Sequence, residues 1–264
     1  MRKLTRFATI AALTLPLSAF ALLIRADRDD AEYVEMATKY ASAVSIDVPG
    51  GAEGVLINAR WVLTSARVGL ALKQMKTMPL VKAGTREIKI QAVFVHPVWR
   101  PDSNSADMAL VYLARAANVE PTPIYRGDDE AGKSVVIVGR GDTGKIGDKA
   151  TRQDHKVRAG INTIDRLSPK IFAMTIKAGD DAADLQAAFA SGEAGGPAFY
   201  QTESKELFVV GVASSSKDEN SNGAVDTGDQ QVYVRVSAYA EWIDATIDKV
   251  NKEELNNLFS PSGG

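Results

Sequence analysis

The chain has 264 residues, 45% hydrophobic and 24% charged, with 31 basic against 33 acidic side chains and a formal net charge of −2. That is enough chain for one large domain or two small ones, and without a basic excess it offers nucleic acid no electrostatic footprint. It holds no cysteine and only two histidines, His96 and His155, which excludes disulfides, thiolate metal sites and a thiol nucleophile.

The amino terminus reads as an export signal. Arg2, Lys3 and Arg6 form a basic start, Phe7 to Ile24 is apolar and uncharged, and Ala19-Phe20-Ala21 is a small-x-small cleavage site. The apolar run is long for a signal and marginal for a membrane span. Residues 1–24 are therefore read as a signal peptide or, uncleaved, a membrane anchor. Export to a bacterial periplasm or beyond is the expectation, with membrane attachment only if the segment is retained.

Residues 25–40 read as a linker and short helix, with Asp30 as cap and Tyr33, Met36, Ala37 and Tyr40 on one face. Short strands follow over 43–48, 55–57, 61–64, 88–95 and 108–113, within a first unit spanning 41–125. A polar stretch leads to a second unit, 126–250, with strands over 134–138, 157–164, 171–176, 207–213 and 231–236. Many short strands with Gly/Pro turns predict an all-β barrel or sandwich. A closing helix is capped by Ser237 and buries Tyr239, Trp242, Ile243, Thr246, Ile247 and Val250. Residues 251–264 read as a polar tail.

Two motifs suggest ligands. Gly139-Arg140-Gly141-Asp142-Thr143-Gly144 matches the glycine pattern of nucleotide sites, but Ile146 stands where a P-loop needs Ser or Thr, and no helix signal follows. Nucleotide binding is thus a distant alternative. The stretch from Asp218 to Asp229 fits a calcium loop: Asp218, Asn220, Asn222, the Ala224 carbonyl, Asp226 and Asp229 fall at the ligand positions. The last position is aspartate rather than glutamate, and a solvated acidic hairpin is the competing reading. No cofactor is required; calcium is possible.

Four stretches, in order, resemble the trypsin-like (chymotrypsin-fold, peptidase S1 type) serine peptidases. Gly54 to Arg67 is similar to the segment ending in that family's catalytic histidine, and Ser105 to Leu113 to the one around its aspartate. Ala190-Ser191-Gly192-Glu193-Ala194-Gly195-Gly196-Pro197-Ala198-Phe199 is similar to the nucleophile loop. Val232 to Val236, with Tyr239, Trp242 and Ile243, is similar to the last strand and closing helix. The resemblance covers roughly residues 41–248. It implies two six-stranded antiparallel β-barrels packed together, with a C-terminal α-helix and a cleft between the barrels.

Carried over residue by residue, the resemblance places Arg67, Asp107 and Ala194 at the triad positions. In the family serine attacks the substrate carbonyl, histidine takes its proton, and aspartate orients the histidine. Only Asp107 keeps the family's chemistry, because arginine stays protonated and alanine has no nucleophile. The amides of Gly192 and Ala194 would still form the oxyanion pocket. Ala188, Ser214 and Ser216 would line the primary pocket, with nothing there to select a basic side chain. Arg67 is expected to pair with Asp107, because a buried carboxylate needs a partner. His96 lies at a strand end that is usually peripheral in the family, and His155 reads as solvated. The implied function is an exported, catalytically inactive homologue that binds a peptide or protein, or scaffolds one, through the old substrate cleft. An active serine-type endopeptidase using unconventional residues is the alternative.

Overall fold

The computed structural model describes residues 22–148, 152–189 and 194–259. Strand β1 (Leu22–Ile24) is the end of the amino-terminal apolar run, and all three of its side chains are buried. Helix α1 (Asp30–Ala37) follows, capped by Asp29 rather than Asp30. The Asp29 carboxylate accepts from the Ala31 amide and Glu32 reaches back to the Asp29 amide, closing both ends of a capping box. Asp30 is thereby left to pair with Arg158, which is fully buried and also holds Asp154, each at 2.6 Å.

Strands β2 (Ala43–Ile46), β3 (Ala52–Asn58) and β4 (Trp61–Thr64) lead into helix α2 (Ala66–Gln74). Strands β5 (Leu80–Ala83), β6 (Arg86–Val95) and β7 (Ala109–Leu113) complete the first unit. These six close into an antiparallel barrel in the order β2-β3-β4-β7-β6-β5. The period of two sorts its side chains. Leu56, Val62 and Val111 point into the barrel with Val44, Val81 and Ile88. Their neighbours Val55, Leu63 and Leu110 turn the other way, against Val138, Phe199 and Val212 of the second unit. Helix α2 lies close on the barrel because Gly69 has no side chain: a Cβ there would stand 2.6 Å from that of Ala109.

The second unit departs from expectation. Its strands are β8 (Ser134–Lys145), β9 (Arg152–Thr163), β10 (Arg166–Leu167), β11 (Ile171–Thr175), β12 (Ala187–Phe189), β13 (Pro197–Gln201), β14 (Leu207–Lys217) and β15 (Gln230–Arg235). With β1 they form one open nine-stranded sheet, ordered β10-β11-β15-β14-β13-β8-β1-β12, with β9 branching from β8. The expected pair of six-stranded barrels is therefore corrected to one closed barrel and one open sheet among the described residues. Closure would need a ladder between β9 and β11, and the groups that would make it bond elsewhere. The Ile161 amide donates to Leu185 O at 2.7 Å, and beside it the Asn162 side chain ties β12 to β9, its Nδ2 donating to Ala187 O at 2.8 Å. The Thr175 amide of β11 is taken by the Asp165 carboxylate at 3.1 Å.

Helix content is corrected too. Three α-helices are described rather than a closing one beside a short linker helix: α1, α2 and α3 (Ala240–Phe259). The last begins after a 3-10 turn at Ser237–Tyr239. Ser237 does not cap it, because its hydroxyl donates to Glu130 at 2.6 Å. The helix continues to Phe259, inside the stretch 251–264 read as a polar tail. Among the described residues no helix is long and apolar enough to cross a membrane.

Candidate functional site

Arg67 is the second residue of α2. Ser65 caps that helix by accepting the Val68 amide at 3.2 Å, so the chain turns sharply after β4 and presents Arg67 at the start of the first turn. Asp107 stands just before β7. Ala106, at φ 58°, adopts the left-handed conformation that makes this turn, and its amide is held by the Tyr239 hydroxyl at 2.7 Å. Ser214 comes from the other unit, at an irregularity in the β14–β15 register between Ala213 and Ser215.

These three side chains meet. Asp107 is fully buried, Arg67 is one-third exposed, and the two are ion-paired. The Arg67 amide also donates to Asp107 Oδ1 at 3.1 Å. Ser214 Oγ donates to Asp107 Oδ2 at 2.7 Å. One Arg67 nitrogen reaches both Ser214 O and Ser214 Oγ at 3.1 Å, while the other lies 3.5 Å from Asn104 Oδ1 and Pro101 O. Burial pushes the Asp107 carboxyl above its ordinary value, and Arg67, Ser214 and the amides of Arg67 and Ala66 oppose that rise. The guanidinium thus fills the space before Asp107 and bonds to the neighbouring unit. As a fixed cation it can hold a carboxylate, but it cannot accept a proton.

Residues 190–193 lie outside the described set, so Gly192, Glu193 and Ser191 are not placed. Ala194 is half-buried. Behind it Gly195 takes φ 105°, and a Cβ there would stand 2.3 Å from Thr64 Oγ1 and 2.4 Å from Glu53 O. Only glycine fits both the conformation and the contact. The Gly195 amide donates to Ala213 O, and the Ala213 amide to Gly196 O, both at 2.8 Å. This backbone pair fixes the end of the loop against the strand that carries Ser214. Ala188 is fully buried in β12, opposite Leu23 of β1, in a small cluster with Ile176. Ser216 is half-buried and faces Gln231 across the β14–β15 ladder.

In the 218–229 loop, Asp218 accepts the Asn222 and Gly223 amides at 3.3 and 2.8 Å. Asp226 accepts from the Asn220 and Asn222 side chains at 3.0 and 2.5 Å. Asp229, 2% exposed, accepts the Glu219 and Asp226 amides at 2.9 and 3.0 Å. The Ala224 amide donates to Asn222 Oδ1 at 2.7 Å. The loop thus holds its shape through its own amides. Among the described residues no three acidic, histidine or cysteine side chains converge as a metal would need.

His96 is a packed residue, its ring 4.7 Å from that of Trp242 and 5.0 Å from that of Tyr239, and burial holds its pKa below the ordinary value. His155 is exposed. The segment Gly139 to Gly144 continues β8, and the next element is the strand β9 rather than a helix. One ionisable residue near the site carries no sequence signal at all: Glu53 on β3, 6% exposed. Its carboxyl accepts the Arg140 amide, and burial pushes its pKa up to about 8.

Residues 34–243 match the family model described as Trypsin. The chain is also similar to vitamin K-dependent protein C of Oryctolagus cuniculus, at 25% identity over 222 residues. That match covers 74% of this chain and 46% of the relative, so the chain spans less than half of the relative's length.

Proposed function

We propose that this chain, which belongs to the trypsin family, is a member without peptidase activity that binds a peptide or protein partner through the former substrate cleft. The observation that carries the reading is the bonding of Arg67. A residue that stays protonated at any working pH is paired to the buried Asp107 and tied to Ser214. In the family's mechanism a base at that position takes the nucleophile's proton, and Ala194 supplies no hydroxyl to give one. The one-third exposed guanidinium gives a partner's carboxylate a fixed charge to meet. Export, with the partner met in the bacterial envelope, belongs to the same reading, and calcium at the 218–229 loop is an optional addition to it.

A fluorophosphonate probe and a casein substrate test this. The parent should show neither labelling nor hydrolysis. Arg67→His combined with Ala194→Ser should label weakly at the introduced serine, and each single variant should not. Hydrolysis by the parent, blocked by a serine-directed inhibitor, would establish the active-peptidase alternative instead. Calorimetric titration with ATP and NAD tests the distant nucleotide alternative.

A further inference from the structure

Away from Arg67, a cavity of about 410 Å³ lies between α1, the barrel strands β2, β3 and β5, and strands β8 and β9. That is within the ~300–1,000 Å³ usual for small-molecule sites. One part of its wall is apolar, from Val34 and Tyr40 on the α1 side, Val138, Val157 and Pro197. The other part is a polar row fixed by strand register. Ser45 lies opposite Glu53 on β3 and opposite Lys82 on β5, and residues directly opposite share one face of a sheet. Arg140 joins this row through its amide, which donates to the Glu53 carboxyl. Lys82 and Arg140 make no ion pair with another described residue, whereas Lys156 at the same cavity pairs with Asp30 at 3.5 Å. Lys82, which also has Glu87 opposite it on β6, and Arg140 thus line the cavity without an ion pair of their own, on the side where Glu53, 6% exposed, contributes a buried carboxyl group.

We propose that this cavity binds a medium-chain aliphatic carboxylate, its chain against the apolar wall and its head group on the row Ser45–Lys82–Arg140. Charge selects the class. An ammonium head group would be repelled by the two cations, and a neutral one would forgo the charge-assisted hydrogen bonds they offer. Glu53 does not repel the ligand at neutral pH, because burial keeps its carboxyl protonated up to about pH 8. In that form it has an O–H to donate to the ligand's carboxylate. The charged and titratable groups around it are Lys82, Arg140, Lys156 and Tyr40 on this cavity, and Asp47, Glu87 and His155 on the adjoining one.

Calorimetric titration of the full chain with decanoate, decanol and decylamine tests the proposal. Decanoate should bind at one site per chain and more tightly than either analogue. The double variant Lys82→Gln/Arg140→Gln should weaken decanoate by about tenfold, as loss of charge-assisted hydrogen bonds does, and leave decanol unchanged. Val34→Trp, at a half-buried helix position, should fill the cavity and weaken all binding. Raising pH through the Glu53 value of about 8 should weaken decanoate binding in the parent, and Glu53→Gln should remove that dependence. The proposal is overturned if decanoate fails to bind the folded parent. It is equally overturned if decylamine binds as well, or if neither the charge variant nor Val34→Trp changes the affinity.

Discussion

Replacing Arg67 by alanine should destabilise the fold in a way that depends on pH. Asp107 is wholly buried, and its guanidinium partner is one-third exposed. Removing one member of a buried ion pair costs roughly 3–5 kcal/mol. Solvent already screens part of this guanidinium, so the low end, about 3 kcal/mol, is the reasoned value. The stranded carboxylate would keep the Ser214 hydroxyl at 2.7 Å and the residue 67 amide at 3.1 Å. It also has a second recourse. Burial already raises its pKa, and loss of Arg67 would raise it further, so the carboxyl can take up a proton. The penalty is fully present above that raised value and shrinks as pH falls through it. Urea unfolding of parent and variant should therefore differ by about 3 kcal/mol at about pH 8 and by clearly less at about pH 5. In a double-mutant cycle Asp107→Asn should abolish most of the Arg67→Ala effect, because no charge is left to strand. A loss under about 1 kcal/mol at the higher pH, typical of an exposed pair, would refute the reasoning. So would an equal loss at both pH values.

Glu53 gives the opposite kind of pH signature from a salt-bridged acid. Its folded pKa of about 8 stands above the ordinary 4.5, so the folded state holds a proton that the unfolded state gives up. Stability should fall as pH rises between those values, by up to about 1.4 kcal/mol per unit, and level off above them. Glu53→Gln should flatten that slope in urea melts taken across the window. Gly195→Ala forces a Cβ to within 2.4 Å of Glu53 O at φ 105°, and should cost on the order of 2–4 kcal/mol by thermal or urea unfolding. A variant as stable as the parent would show that the loop relaxes freely. For the 218–229 loop, millimolar calcium should raise the melting temperature, EDTA should lower it, and Asp218→Ala should remove the difference. Identical melts in calcium and EDTA leave the loop held by its own hydrogen bonds alone.

Much of the strand pattern is legible in the sequence because alternation is a local signal. Val55/Leu56, Val62/Leu63 and Leu110/Val111 each send one side chain into the barrel and one to the interface. What lies on closure is not legible. An open sheet and a barrel can share the same strands, and the difference here rests on where the Ile161 and Thr175 amides find their partners. Strands β5, β12 and β13 are short or begin at proline, and periodicity over three to five residues decides little. Helix α2 carries a readable start in Ser65 and a spacing of four in Val68 and Leu72, but it follows a strand so closely that the motif reading passes over it. The site divides in the same way. Arg67 and Asp107 are identified by motif order, and their pairing follows from the cost of a buried carboxylate. Glu53 gives no such warning. Glu53 falls between the strands read at 43–48 and 55–57, and its burial depends on a residue 87 positions away, Arg140, whose amide donates to its carboxyl.

Strand β1 decides how force enters the molecule. Leu22–Ile24 is bonded along both edges, antiparallel to β12 and parallel to β8. Just beyond it the Arg25 side chain is fastened to the carbonyls of Ala182 and Ala183 at 3.3 and 2.9 Å. A pull on whatever precedes Leu22 therefore acts along the strand, across hydrogen bonds that lie roughly perpendicular to it on the β12 side. Such a joint is loaded in shear. Its bonds must yield together rather than open one after another, as they would if the strand were peeled away from its end. Pulled along its axis, the amino-terminal strand thus resists through its ladders to β12 and β8 together, where a peel from its end would break them one at a time.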